Sequence, residues 1–291
     1  MGAKEVLIKS VALALPIYAM SVFQLPKDLC ARITSDIAEF WWSSGNKKKK
    51  IHWVSMEKLC KPKEAGSMGF HDIGRFNQAL LCKQAWRIWS QPDSLVAKIL
   101  RGRYFSKSSF MDCGVGTRPS YIWRSILHGR ELLQQGLVRK IGNGASTNVW
   151  AENWIIDTTP RPPMYRADSD IDLTSKVSDL FMDNTGRWNR ELLFETFTDE
   201  DAERILSLKP RMEAQDSVEW GFTNNGFYST RSGYKLTEEL VKLNAGGGSS
   251  LPPLEKKLWS HIWKIKAPPK LKHFIWRALS GALAVGERLC T

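Results

Sequence analysis

No Cys-x-x-Cys pair occurs in this chain, and its five cysteines (Cys30, Cys60, Cys82, Cys113 and Cys290) are scattered and odd in number. That spacing indicates neither the disulfide framework of a small secreted domain nor a zinc site, and free thiols in a reducing compartment are the simplest account. Histidine is scarce too, with five residues and no His-x-x-x-His or Cys/His pairing. No Ser/His/Asp constellation can be placed. Long apolar runs are also missing. The stretch from Val6 to Phe23 is the nearest to one, but Lys9 and Pro16 interrupt it, and Val11–Pro16 is too short to span a membrane. No charged segment precedes a small-residue cleavage site. The opening Met-Gly has Val6 where a myristoylation signal needs Ser or Thr. The stretch therefore reads as a buried helix, which implies that the chain starts inside a domain, and no membrane partner is expected. Low-complexity segments and repeats of fixed period are absent as well, so composition gives no argument for disorder.

What is present is tryptophan and basic charge. Thirteen tryptophans in 291 residues suggest several aromatic-rich clusters rather than one aliphatic core. Lys and Arg number 42 against 30 Asp and Glu, a net of +12 that fits a polyanion-binding protein. The charge is uneven. Residues 1–150 carry a net of +13, residues 151–250 a net of −7 and residues 251–291 a net of +6. Such blocks describe a modular chain with at least one polyanion-facing section, or else an excess of solvated lysine.

Periodicity predicts a predominantly helical α+β fold with two short β-hairpin regions. After Pro26 the residues Leu29, Ile33, Ile37 and Phe40 form a helical stripe ending in Trp41-Trp42, and Ile51–Val54 is a short strand candidate. Phe76, Ala79, Cys82, Trp86 and Trp89 step by three or four along a second helix, and a third runs from about Ser94 to Tyr104. Ser120 is a plausible N-cap for a helix stopping at Gly136. Leu137–Ile141 and Asn148–Trp154 suggest a hairpin around Gly142-Asn143-Gly144, and Asn224-Asn225-Gly226 marks a second, followed by a helix near Tyr234–Leu243. The Pro-rich acidic stretch from Asp157 to Asp183 reads as a loop or linker. Residues 245–253 are the clearest flexible linker. Trp259 and Trp263 mark one tail helix, and Leu271, Phe274, Ile275 and Leu279 another beyond Pro268-Pro269.

The densest basic cluster is Lys47, Lys48, Lys49 and Lys50 with Lys58, Lys61 and Lys63, flanked by Trp41, Trp42 and Trp53. Such lysines neutralise phosphates without reading sequence, and exposed rings stack on bases. Beside a short strand they equally blunt an exposed edge, and tryptophan at helical spacing is more often core. Trp86 and Trp89 are assigned to the core. A second basic cluster comprises Lys264, Lys266, Lys270 and Lys272, while Arg101, Arg103, Arg118, Arg124 and Arg130 form a looser set of mainly surface and ion-pair residues. Asp168, Asp170 and Asp172 alternate without the glycine and distal glutamate of a calcium loop and read as solvated. Gly142-Asn143-Gly144 is read as a turn and not a phosphate loop, because no helix follows it.

Several long segments carry a resemblance. LPKDLC, FWWSS and KKKIHWVSMEKLCKPKEAGSMGFHDIGRFNQALLCKQAWRI, then YIWRSILHGRELLQQGLVRKIGNGASTNVWAENW, look like the segment after the palm in plant LINE-type (non-LTR) retrotransposon reverse transcriptases. GRWNRELL, SVEWGFTNNGFYSTRSGY and LWSHIWKIKAPPKLKHFIWRALSGALAVGERL resemble the zinc-binding domain that follows in those polyproteins. The first half is also similar to an uncharacterised open reading frame of plant mitochondrial genomes.

The resemblance implies three sections: a helical thumb-like segment over 1–112, a connecting segment with a hairpin and acidic loop over 113–215, and the start of a zinc-binding domain over 216–291. Polymerase chemistry in the family belongs to a palm whose paired aspartates hold two Mg²⁺ ions. This sequence has no Asp-Asp dipeptide, so the palm is expected before Met1 and no catalytic residue is expected here. The family's zinc ligands fall after a Glu-Arg-Leu segment like that at 287–289, where only Cys290 stands, with His273 alone upstream. Structural zinc needs about four closed ligands, so no bound zinc and no other cofactor is expected. The expected partners are RNA or an RNA–DNA hybrid, held by the basic clusters including Lys270 and Lys272, and the remainder of the reverse transcriptase polyprotein. The alternative is a domesticated or pseudogene-derived interaction protein with no retained nucleic-acid activity.

Overall fold

Side-chain caps fix several helix starts. The computed structural model describes residues 2–43, 51–182, 186–244 and 252–283. Ser94 Oγ accepts from Ala97 N–H at 3.3 Å, and Ser120 Oγ accepts from Trp123 N–H at 3.2 Å, as helix-capping hydroxyls do. In chain order the first helices are α1 (Gly2–Leu7), α2 (Ile17–Met20), α3 (Lys27–Trp42), α4 (Met56–Cys60), α5 (Ile73–Ser90), α6 (Leu95–Tyr104) and α7 (Tyr121–Gly136). Then come the strands β1 (Leu137–Lys140), β2 (Ile155–Ile156), β3 (Pro160–Arg161), β4 (Phe181–Met182) and β5 (Arg187–Trp188). The rest are α8 (Arg190–Thr196), α9 (Asp199–Ser207), β6 (Ser217–Trp220), α10 (Thr230–Asn244), α11 (Pro253–Lys264) and α12 (Pro269–Leu279). Strands pair antiparallel as β1–β6, β2–β3 and β4–β5. The class is α+β and mainly helical, as periodicity predicts.

Contacts group the chain into two units, neither continuous in sequence. The first comprises Met1–Gln84, Val115–Gly129 and Val241–Thr291, and the second Ala85–Gly114 and Arg130–Leu240. The three sections that the resemblance implies are, by contrast, consecutive in sequence. Helices α5, α7 and α10 contribute residues to both units. The linker expected at 245–253 lies outside the described residues except for Pro252 and the start of α11.

In the first unit Ile8, Met20, Trp41, Leu59, Met68, Phe70 and Trp276 share one buried core. Four expectations are corrected there. The opening stretch is not one buried helix: a π-helical turn (Ile8–Ala12) follows α1, Pro16 separates it from α2, and only Ile8, Leu13 and Met20 are buried. Leu15 and Tyr18 are 78% and 85% exposed. In α3 the buried face is Ile37, Ala38, Trp41 and Trp42, while Leu29 and Phe40 point outward. The α12 face is likewise rotated. His273 and Trp276 are buried, whereas Leu271, Phe274 and Leu279 are exposed. Trp276 goes inward because its indole N–H donates to Gly66 O at 3.0 Å, which satisfies the polar edge of a ring that otherwise only gains from burial. Ile51–Val54 forms no strand.

The second unit packs Val149, Trp154, Val177, Leu180, Leu193, Phe197 and Ile205 together. The stretch from Asp157 is therefore no linker: Val177, Leu180 and Phe181 are buried in this core, and β3 and β4 fall within the stretch. Residues 183–185 lie outside the described residues. The predicted hairpin of β1 with Asn148–Trp154 does not form. Instead β1 pairs with β6, Leu137 opposite Trp220 and Lys140 opposite Ser217. The second hairpin is also half-formed: Trp220 N–H donates to Gly226 O at 2.9 Å, and the chain then enters α10 rather than a return strand.

The cause of the β1–β6 pairing lies just beyond β1. The Asp216 carboxylate accepts from the backbone N–H groups of Gly142, Gly144, Ser146 and Thr147 and from the hydroxyls of Ser146 and Thr147, all at 2.8–3.0 Å. Asp216 immediately precedes β6, so holding it fixes the strand register. Gly144 sits at φ +72°, a conformation glycine adopts without strain. The glycine loop thus does hold an anion, and the anion is the chain's own. Burial pushes the Asp216 carboxyl up, but bonds from Thr147, Gly142, Gly144 and Ser146 outweigh it and hold it below the usual range. A depressed carboxyl contributes stability that is complete above its unfolded value, about pH 4, and is lost as pH falls below it. Asp216→Ala is expected to destabilise the second unit by about 2–3 kcal/mol. It should also flatten the acid limb of a urea-midpoint-against-pH curve. An unchanged acid limb would show that the cradle contributes nothing.

Candidate nucleic-acid interface

The contact grouping sorts the charge. The first unit holds 24 Lys and Arg against 9 Asp and Glu, a net of +15, and the second holds 18 against 21, a net of −3. A polyanion would therefore be drawn to the first unit.

Individual predicted residues fare differently. Lys47–Lys50 lie outside the described residues. Lys58 of α4 and Lys61 just after it are exposed, as is Lys270 at the start of α12. Lys63 is committed within the fold: its ammonium lies 2.8 Å from Glu5 Oε1 and 4.4 Å over the Trp263 ring. Lys272 donates to Trp263 O at 2.9 Å, capping the end of α11 where a cation meets the negative pole of the helix. Lys264 and Lys266 are exposed.

The aromatic expectations divide: the core reading of tryptophan at helical spacing holds for Trp41 and Trp42 and fails for Trp86 and Trp89. Trp41 and Trp42 are both buried, so neither presents a ring to a base. Trp53 is half-buried against the first unit's core. Trp86 and Trp89 are half-buried rather than core, with ring centroids 5.2 Å apart and Trp86 stacked on Tyr228. Among the arginines, Arg130 is internal, donating to Phe110 O and Cys113 O at 2.8 and 2.7 Å. Arg101, Arg103, Arg118 and Arg124 are exposed.

The feature that sequence reading missed is a groove of about 750 Å³ in the first unit. It lies along α3 and the first turns of α5, with His52, Met56 and His128 completing its walls. On α3 the lining residues Lys27, Ala31, Thr34, Ser35 and Ala38 recur at helical spacing and are short apart from Lys27, so no bulky side chain fills the space. That stripe, on the face away from Ile33 and Ile37, was the available signal. Asp72 caps α5 by accepting from Arg75 N–H at 2.8 Å and lies 3.5 Å from the Arg75 guanidinium. The lining residue Cys30 is not an activated thiol, because burial, reinforced by the Asp72 charge, raises its pKa.

Among the described residues, no three His, Cys, Asp or Glu side chains converge as a metal ion would need, and no helix is long and apolar enough to cross a membrane. Asp172 is held by its own turn, accepting from the Thr174 hydroxyl at 2.6 Å.

Comparison with known proteins adds the following. No family model and no solved structure matches the chain. It is 27% identical over 297 residues to "Putative ribonuclease H protein At1g65750" of Arabidopsis thaliana, an alignment covering 97% of this chain but 45% of that protein. The chain thus spans less than half of that relative's length. It is 60% identical over 153 residues to "Uncharacterized mitochondrial protein AtMg00310" of the same plant, covering 52% of this chain and 99% of that protein. On that identity and coverage, the chain belongs to the family of this Arabidopsis mitochondrial protein.

Proposed function

We propose that this chain is a non-catalytic, nucleic-acid-holding part of a LINE-type retrotransposon reverse transcriptase polyprotein. The carrying observation is the concentration of basic charge in one unit, +15 against −3 in the other. Lys58, Lys61 and Lys270 present solvent-facing ammonium groups there, in addition to those committed to the fold. Phosphate neutralisation by such groups is independent of sequence and suits a segment that holds template and primer while chemistry proceeds elsewhere. The long motifs shared with plant LINE-type reverse transcriptases favour this reading, as does a relative of more than twice the aligned length whose printed name is a ribonuclease H protein.

The test is a titration of the full chain with a labelled RNA–DNA hybrid at two salt concentrations. If about three phosphates are neutralised, a rise from about 50 to 200 mM salt weakens binding roughly 40-fold. The double variant Lys58→Glu/Lys61→Glu weakens it by about tenfold and reduces the salt slope by about two. Absence of saturable binding at the lower salt would overturn the reading in favour of an interaction protein without nucleic-acid activity.

A further inference from the structure

The groove along α3 differs in kind from the exposed lysines, and we infer that it takes an unpaired nucleotide of single-stranded nucleic acid. This rests on the nucleic-acid reading above and names the form of ligand at one place within it.

Size comes first. At about 750 Å³ the groove falls in the range of pockets that enclose small organic molecules. It admits one or two splayed nucleotides. A duplex, with its bases stacked inside, meets it only along the backbone.

Chemistry comes second. The groove offers two hydroxyls, Thr34 and Ser35, the amides of Gln24 and Gln78, and the imidazole of His52. Among the described residues, the side chains of Lys27, Thr34, Ser35 and His52 have no partner. Gln78 Nε2 donates to His128 O at 3.2 Å, which orients its amide and leaves the oxygen as an acceptor. By contrast Asn77 is consumed by the fold: it donates to Met20 O and Phe23 O and accepts from Leu25 N–H. Donors and acceptors that the fold does not use therefore line a concavity whose neighbouring polar groups it does use. Hydroxyls and amides read base edges, an imidazole ring stacks on a base face, and a lysine meets the adjoining phosphate. Unpaired strands are recognised in this way, and paired ones hide those edges.

Charge comes third. Lys27 and Arg75 against Asp72 leave the lining mildly basic. That balance suits one or two phosphates and is too weak to grip a duplex by itself.

The experiment compares a fluorescein-labelled single-stranded RNA of about 12 nucleotides with a blunt RNA–DNA hybrid, by anisotropy on the full chain at about 50 mM salt. Ala31 lines the groove at an exposed helical position, so Ala31→Trp fills the space without disturbing the core. Ser35→Trp serves as a second, independent filling variant. Each is expected to weaken single-strand binding by tenfold or more while hybrid binding changes less than about twofold, and retained hybrid binding shows that the variants fold. Equal losses for both ligands, or no loss for single strands, overturn the inference. Wild-type binding of hybrid but not of single strands overturns it while leaving the proposed function standing. Binding of neither ligand overturns both.

Discussion

The Glu5→Ala variant is expected to lose about 3–5 kcal/mol of stability in the first unit, and its melting point should fall by roughly 10 °C. Glu5 sits where three elements meet. Its Oε1 lies 2.8 Å from both the Lys9 and Lys63 ammonium groups, and its Oε2 lies 2.9 Å from His273 Nε2. The other ring nitrogen of His273 is 2.5 Å from Pro269 O. Only 3% of His273 is exposed. Removing the carboxylate leaves two crowded ammonium groups and a buried imidazole without their shared acceptor. Breaking a buried charge cluster in this way costs far more than deleting a surface pair.

The same cluster predicts a pH dependence. Burial pushes the Glu5 carboxyl up, but bonds from His273, Lys63 and Lys9 outweigh it and hold the group far below the usual carboxylate range. Because the folded value lies below the unfolded one, the contribution is complete above about pH 5 and is lost progressively as pH falls. Thermal melts between about pH 3 and 7 check both points. Wild type should lose stability on the acid side more steeply than Glu5→Ala, and parallel curves would rule out a role for this carboxylate. Glu5→Gln, which keeps an acceptor and loses the charge, should fall between the two in stability at about pH 7 and match Glu5→Ala in acid slope.

The second large effect is expected at Asp201, whose carboxylate is 1% exposed. Its two oxygens accept from the two terminal nitrogens of Arg161, each at 2.7 Å, and one also accepts from Met164 N–H at 2.7 Å. Asp201 stands in the first turn of α9, where the helix dipole favours negative charge. Asp201→Ala strands the Arg161 guanidinium and a backbone donor. The expected loss is about 3–4 kcal/mol. Arg161→Lys keeps the charge but abandons the two-pronged geometry, and should lose about 1–2 kcal/mol. Hydrogen exchange localises the effect. Amides of α9 and of the chain around Met164 should lose protection in Asp201→Ala, and a stability change under 1 kcal/mol would show that the pair is dispensable.

How legible these features were depended on range. The cap at Ser120 was readable because its hydroxyl bonds three residues ahead. Helix existence was readable from period, but helix phase was not. In α3 the Leu29–Phe40 stripe and the Ile37–Trp41 face lie about one residue apart around the axis, and the choice depended on residues far along the chain that cover Trp41. In α12 nearly every direction carries an apolar side chain, and the inward face was settled by one acceptor, Gly66 O, 210 residues away. The strand pairing failed for the same reason: an Asn-Gly turn signal is local, whereas the Asp216 cradle joins residues about 70 apart. The candidate interface was half legible. Basic charge is a property of composition, and of the predicted lysines, Lys58, Lys61 and Lys270 are exposed. The groove depends on which short side chains face each other, and Lys63 and Lys272 read as ligand-binding when they are in fact held within the fold.

The bond from Trp276 to Gly66 sets a schedule for synthesis. Gly66 has φ +75°, and the Trp259 ring closes over its α-carbon, so two tail tryptophans complete a surface that the first 84 residues began. At about 5–20 residues per second on the ribosome, the interval separating these partners is roughly 10–40 s. Throughout it the second unit's residues, Ala85–Gly114 and Arg130–Leu240, are being made, while Trp41 and Phe70 of the basic unit still lack Trp276, which packs on Trp41. A released chain ending before α11 should therefore keep hydrogen-exchange protection in the second unit and lose it in the first.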